Sequence, residues 1–322
     1  MWARAVARSP ERRGARTLAV AGALAVAVLA APLRAAPLTV CVAEDNAPLS
    51  YLVRGQARGL DLRIAQAAAA ALGRPLAVVP FETAYEKEST LAHEVNALLS
   101  SGVCEAVSGF PLLREDLGPP TRPSARTPDY PGAKRKRERP YVTLGPLAAS
   151  RAYQGAALGL VVAGPAESVA TLADLAALDD GGARKLGVTT GTLAGSVAQT
   201  WRHGVLRKRL LTVSQREEVL DAVADGRAAA ALLPLARFDG WKLAHRDSPL
   251  RATAWRRPLE INLGFVTLDG ATEVRAALDR VIEAARADGS LARWAAEEGV
   301  SWTPPTTPEV GNGPSLASLA AD

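Results

Sequence analysis

Histidine is nearly absent. The 322 residues include only His93, His203 and His245, too far apart in the chain to form a metal-ligand spacing. Cysteine is as rare, at Cys41 and Cys104. Without a C-x-x-C pair, thioredoxin-type redox chemistry has no support. The sequence also lacks G-x-S-x-G, a P-loop and a dinucleotide fingerprint. Glu44, Asp45 and Glu82 stand in loops at strand ends and could act as acid or base, but any cleft holds such carboxylates. The chain therefore reads as non-enzymatic, with no cofactor and no metal.

Long apolar runs are limited to one, Leu18 to Leu29. It is shorter than the roughly 20 residues that a membrane span requires. Arg4, Arg8, Arg12, Arg13 and Arg16 precede it, and Ala30, Ala31, Ala35 and Ala36 follow. Residues 1–36 thus read as a secretory signal, with an uncleaved anchor as the alternative. Export places the mature protein in the periplasm, not spanning a membrane. The whole chain carries a formal net charge of +5, and residues 1–36 alone, with six arginines and one glutamate, hold that same excess. The mature chain is close to neutral, which gives no support to nucleic-acid binding.

What is present begins with a βαβ pattern. Leu38 to Val42 is apolar and β-branched, a buried strand; Asp61 can cap a helix from Leu62 to Leu72 that Gly73 stops; Leu76 to Val79 is the next strand. A mostly parallel sheet flanked by helices is expected. A helix covers Leu91 to Leu99, a strand Val103 to Gly109, and a strand Leu158 to Ala163. Thr171 opens a short helix, another runs from Ala194 to about Arg202, and Val219 to Ala224 is helical. Ala228 to Leu233 is a strand, Leu259 to Leu268 a crossover, and Thr272 to Ala287 and Leu291 to Glu298 are helices.

Residues Pro111 to Pro140 stand apart. Seven prolines and a net charge of +4, centred on Lys134, Arg135, Lys136 and Arg137, read as a long exposed loop with little to bury. It is either solvated or a docking surface for an acidic partner. From Pro304 onward the chain is rich in Pro, Gly and Ser and is expected to be disordered. In an exported chain the isolated pair Cys41 and Cys104 points to one disulfide, with two buried thiols as the alternative.

Gly59-Leu60-Asp61-Leu62-Arg63-Ile64-Ala65, followed by Ala71-Leu72-Gly73, resembles the G-F-D-x-D-hydrophobic-A…A-x-x-L-G signature of bacterial extracytoplasmic solute-binding proteins, family 3. Ala47-Pro48-Leu49-Ser50-Tyr51 resembles that family's P-P-F-S-Y loop, and Leu186 to Thr192 its V-G-V-x-x-G-T turn. Arg63 departs from the second Asp of the signature. The resemblance implies an α/β two-lobe periplasmic-binding fold with two hinge crossings. Its parts would be lobe 1 at 37–145 plus 262–302, lobe 2 at 146–261, and a tail at 303–322. Ligands would sit in the cleft at the strand ends. Asp45, Tyr51 and Phe110 would line it. Arg114 would clamp a ligand carboxylate, and Thr190, Gly191 and Thr192 would present backbone N–H groups to an anion. Tyr51 packing under its loop, Arg114 on the surface and Gly191 as a simple turn glycine are the plain alternatives.

The departures narrow the function. Ala229 and Pro234 occupy positions where amino-acid binders of the family carry acids, so a ligand ammonium would lack its partner. Cys41, Gly102-Val103-Cys104-Glu105 and Arg139-Pro140-Tyr141 resemble the J-type partners of periplasmic quinoprotein (PQQ alcohol or methanol) dehydrogenases. Two functions follow: an accessory partner of such a dehydrogenase or its c-type cytochrome, or a receptor handing a small polar or anionic solute to an ABC permease.

Overall fold

A computed structural model describes residues 35–82, 89–164, 169–315 and 318–319. The expected signal segment, up to residue 34, lies outside them. The chain runs β1 (Leu38–Ala43), β2 (Asp45–Asn46), β3 (Ser50–Val53), β4 (Gln56–Arg58), α1 (Leu60–Ala71), β5 (Leu76–Phe81), α2 (Leu91–Ser100) and β6 (Ala106–Pro111). Then come β7 (Ser124–Ala125), β8 (Val142–Thr143), β9 (Leu147–Ala149), β10 (Gln154–Ala163), α3 (Leu172–Ala177), β11 (Leu186–Thr189), α4 (Leu193–Gly204), β12 (Leu210–Val213) and α5 (Val219–Ala224). The last elements are β13 (Ala230–Pro234), α6 (Leu235–Ala244), β14 (Leu250–Leu268), α7 (Thr272–Ala287) and α8 (Ser290–Glu298).

Strand alternation builds the core of lobe 1. Leu38, Val40 and Val42 face α1, α7 and α8, while Cys41 and Ala43 face the α2 side with Phe81 and Leu98. Both faces are covered, as a parallel sheet requires, and β1 pairs in parallel with β5 and β6. Lobe 2 repeats the logic: Leu158, Leu160 and Val162 face one cluster and Val161 the other. There β11 runs parallel to β12 and β13. Between the lobes β10 and the 19-residue β14 pair antiparallel, and β14 continues into antiparallel pairing with β6. The crossing strands therefore hydrogen-bond the two lobes into one path, β12-β11-β13-β10-β14-β6-β1-β5.

Local chemistry explains the entry to α1. A Cβ on Gly59 would lie 2.2 Å from the Leu49 carbonyl oxygen, and its φ of +119° is outside the range of other residues. Asp61 does not cap the helix; it lies inside α1, fully buried, and Gly59 is the N-cap. Arg63, the departure from the signature, ties α1 to α8 by bonding Glu298 at 2.7 Å and Glu297 at 3.3 Å. Cys41 and Cys104 are bonded, with Cα atoms 5.7 Å apart. Cys104 sits in the turn before β6, which starts at Ala106 and not at Val103. The chain leaves α2 through Gly102 and needs three residues to reach the edge of β1, where Glu105 N donates to Thr39 O.

Two expectations drawn from composition are corrected. Residues 111–140 are not a bare exposed loop: Leu112, Ala125, Thr127 and Arg139 are buried, and β7 pairs with β8. Arg139 gives its guanidinium to the Thr127 and Pro128 carbonyls and to Asp129, so this one cation of the loop holds the loop together while Lys134, Arg135 and Arg137 stay exposed. Residues 303–315 are not loose either; they pack along the crossing strands through hydrogen bonds to residues remote in sequence. Between the strand ending near Leu233 and β14 the structure also has α6, for which the sequence reading gave no helix and which buries Leu235, Phe238 and Asp239. No helix among the described residues is long and apolar enough to cross a membrane.

Candidate functional site: the interlobe cleft

A cavity of about 450 Å³ lies at the C-terminal ends of β1, β5 and β6. Lobe 1 supplies Ala43, Asp45, Asn46, Leu49, Phe81, Val95 and Phe110; Ala156 of β10, Ala236 of α6 and Leu263 of β14 close it. Its position follows from the fold, because loops at strand ends diverge where the sheet changes direction. Its chemistry is mostly apolar. Among the described residues, the polar side chains on it are Asp45, Asn46 and Ser108, and no Lys or Arg lines it. The far wall belongs to α6, which approaches closely: a Cβ on Gly240 would stand 2.8 Å from the Ala47 carbonyl oxygen.

Beneath this cavity lies a group that sequence reasoning took for a helix cap. The Asp61 carboxyl is fully buried and accepts from the Tyr153 hydroxyl at 2.5 Å, joining α1 to the first crossing. Its second oxygen, Oδ2, has no hydrogen-bond partner, and neither has the Ser108 hydroxyl, which approaches without reaching bonding geometry. Burial raises the Asp61 pKa from 3.8 to about 6, against the pull of Tyr153 and Ser108. Burial likewise pushes the Tyr153 hydroxyl well above its ordinary value, and the neighbouring Asp61 adds to it. Gly109 makes the arrangement possible: a Cβ there would lie 3.2 Å from Asp61 Oδ2 and 3.3 Å from Asn46 Nδ2. An apolar residue at position 60 and a carboxylate at 61 are equally compatible with capping and with burial, so only packing distinguishes them.

Of the expected site residues, the structure brings Asp45 and Phe110 to the cavity. Tyr51 sits on β3 opposite Asp45, half-buried and outside the lining. Arg114 is exposed on a short 3-10 turn, where Nε donates to Asn312 Oδ1 at 3.3 Å. Thr190, Gly191 and Thr192 lie at the head of α4, away from the cavity. Thr190 N donates to Val213 O at 2.9 Å, and the Thr192 hydroxyl accepts from Gly195 N, so much of this turn is internally satisfied. Pro234, at the family's acidic position, is the N-cap of α6. Lys134, Arg135 and Arg137 are exposed beside a short 3-10 turn, Lys136–Glu138.

No family model and no curated protein matches this chain. Solved structures do. Substrate-binding domain 2 of Lactococcus lactis GlnP, in its open conformation, is 13% identical, with a TM-score of 0.57, over 83% of this chain and 96% of that one. The L-cystine solute receptor of Neisseria gonorrhoeae, unliganded and open, is 18% identical, with a TM-score of 0.54, over 84% and 95%. An ancestral cyclohexadienyl dehydratase is 17% identical, with a TM-score of 0.54, over 82% and 92%. At these identities the likeness is one of architecture, and the chain has the two-lobe α/β fold of solute-binding proteins.

Proposed function

We propose that this protein is a non-catalytic periplasmic receptor for a small solute that lacks an α-amino-acid head group, and that it hands the solute to an ABC permease. The observation that carries the reading is the cleft itself: about 450 Å³, walled by apolar groups, with Asp45, Asn46 and Ser108 as its polar side chains. Among the described residues a carboxylate ligand finds no cation there, and Arg114 is turned to Asn312. An ammonium finds Pro234 where the resemblance expects an acid, and Asp45 as the carboxylate on the described lining. Leaving a ligand carboxylate unpaired in a closing cleft costs several kcal/mol. The anionic solute expected from resemblance is therefore replaced by a neutral or weakly cationic one with an apolar body and one hydrogen-bonding end. Two of the similar structures are themselves a substrate-binding domain and a solute receptor.

Thermal-shift screening tests this, because a ligand at about 100 times its Kd raises stability by roughly 2.7 kcal/mol. Small neutral alcohols, amides and amines are expected to include a stabilising compound, and the standard amino acids are expected to do nothing. A clear shift with a common amino acid overturns the reading.

A second reading, an accessory partner of a periplasmic quinoprotein dehydrogenase or its c-type cytochrome, is favoured by the exposed cations Lys134, Arg135 and Arg137 on a nearly neutral mature chain. Such a patch speeds encounter with an acidic surface and loses effect with salt. Changing Lys134, Arg135, Lys136 and Arg137 to Ser is expected to slow association with the dehydrogenase at low salt while melting stays unchanged. Equal association rates would remove this reading.

A further inference from the structure

The C-terminal segment runs where closure of two lobes would need freedom. The lobes are joined through residues 149–154 and through β14. The Trp302 indole donates to the Tyr153 carbonyl at 2.9 Å, and Gly155 N donates to Thr303 O at 2.8 Å, so the segment begins bonded along the first crossing. It then meets the second. Asn262 is 1% exposed; its amide nitrogen donates to the Thr306 and Glu309 carbonyls, both at 2.9 Å, and its oxygen accepts from Thr306 N at 2.8 Å. Glu309 gathers three groups: Ala152 N at 2.9 Å, Arg286 of α7 at 2.7 Å and Arg151 at 3.1 Å.

Beyond Glu309 the segment attaches to each lobe in turn. Gly311 N donates to Leu112 O at 3.1 Å and Gly311 O accepts from Arg114 N at 2.8 Å, both in lobe 1. Leu319 is 1% exposed within the lobe 2 cluster that holds Leu158 and Leu259. Next to it, Arg257 of β14 donates to the Ser318 carbonyl at 2.5 Å. At the root of the segment, Asp239 of α6 accepts from Ser301 N at 2.7 Å and from its hydroxyl at 2.6 Å.

We propose that residues 302–315, with the anchor at 318–319, act as a strap, a third connection between the lobes that limits opening and closing of the cleft. Two crossing strands alone permit rotation through a few backbone torsions. A third link held at Leu112 and Arg114 of lobe 1 and in the lobe 2 core turns that rotation into a movement that must strip Leu319 from its core or leave Asn262 unbonded. Buried polar groups resist the latter, because an unmade hydrogen bond there is costly. Release of the strap is thus the step that frees the hinge.

The test uses the full chain with spin labels at two exposed helix positions, Gln66 of α1 and Gln199 of α4, read by pulsed electron resonance. The parent is expected to give one narrow distance distribution. Leu319→Asp, which expels the far anchor, is expected to broaden it, and to speed amide exchange at Gly311 at least tenfold, with far-ultraviolet circular dichroism unchanged. Glu309→Gln, which keeps size and removes the charge, is expected to broaden it less. Should Leu319→Asp fail to fold, Glu309→Gln and the exchange rate at Gly311 decide the matter alone. Distributions identical to the parent's in the folded variants overturn the proposal, because a merely structural tail would lower melting without moving the lobes.

Discussion

The two faces of the crossing strand β14 differ in how they use polar groups. Successive residues point to opposite sides, as strand geometry demands: Leu263 lines the cleft, and Asn262 bonds the C-terminal segment. On the cleft side a sizeable cavity carries few polar side chains, and the Ser108 hydroxyl and Asp61 Oδ2 beneath it make no hydrogen bond. On the other side one amide, one carboxylate and several backbone groups form a dense hydrogen-bonded set, with the Thr303 hydroxyl left out of it. The lesson is that this chain concentrates its hydrogen bonds at the hinge and leaves the described cleft wall comparatively apolar.

The largest expected effect asks how much lobe 1 owes to its cross-link. Cys41 and Cys104 are separated by 63 residues. In the chain-entropy model such a bond contributes about 4 kcal/mol. Replacing both by Ser should lower the denaturant midpoint accordingly, with lobe 2 unfolding last; an unchanged midpoint would show that the cross-link adds nothing to the packing around β1.

The comparison between the two faces is broken most directly at Asn262. Asn262→Ala strands the Thr306 and Glu309 carbonyls and the Thr306 N–H, and should cost about 3 kcal/mol in chemical denaturation. A loss under about 1 kcal/mol would mean that the segment finds water instead.

Asp61 gives a pH signature. Its folded pKa of about 6 stands above the ordinary 3.8 because it is buried. Below pH 3.8 it is protonated in both states. As pH rises to about 6 the unfolded chain loses its proton first, so stability falls, by on the order of 3 kcal/mol once the folded carboxyl is also ionised. Asp61→Asn should flatten that part of the profile, measured as the difference between parent and variant denaturation at pH 4 and pH 7. Parallel profiles would show that the carboxyl stays ionised throughout.

The smallest effect belongs to the cleft. Ser108→Ala removes a hydroxyl that has no hydrogen bond. It should change stability by less than about 0.5 kcal/mol, in contrast to Asn262→Ala. If Ser108→Ala proves as costly as Asn262→Ala, the contrast between the faces disappears.

Much of the fold was legible because it rests on local periodicity. The helices at Val219–Ala224 and Thr272–Ala287 emerge with the bounds that their apolar spacing sets. The Cys41–Cys104 bond is expected from the isolated pair in a chain read as exported, although Cys104 lies in the turn before β6 and not in a strand. The helix α6 was missed because Arg237, Asp239 and Gly240 interrupt its apolar period, and Asp239 is buried by bonding Ser301, 62 residues away. Of the expected ligand groups only Asp45 and Phe110 reach the cavity, since a loop's composition says nothing of where its side chains turn. Arg114 illustrates this: its partner, Asn312, is 198 residues distant.

Sequence alone determined the alternation of strands and helices, which depends on residue type and short spacing, while the two-lobe α/β class and the departures at Ala229 and Pro234 came from the resemblance of its motifs to a known family. Tertiary structure decided what Asp61, Arg139 and residues 303–315 do. A carboxylate beside a helix start can cap or be buried, an arginine in a basic loop can meet solvent or clasp carbonyls, and a proline-rich tail can float or bind. In each case the competing states differ by desolvation and by partners far away in the chain, Tyr153 for Asp61, Asp129 with the Thr127 and Pro128 carbonyls for Arg139, and Asn262 for the tail. Those terms exist only once the chain has brought the partners together.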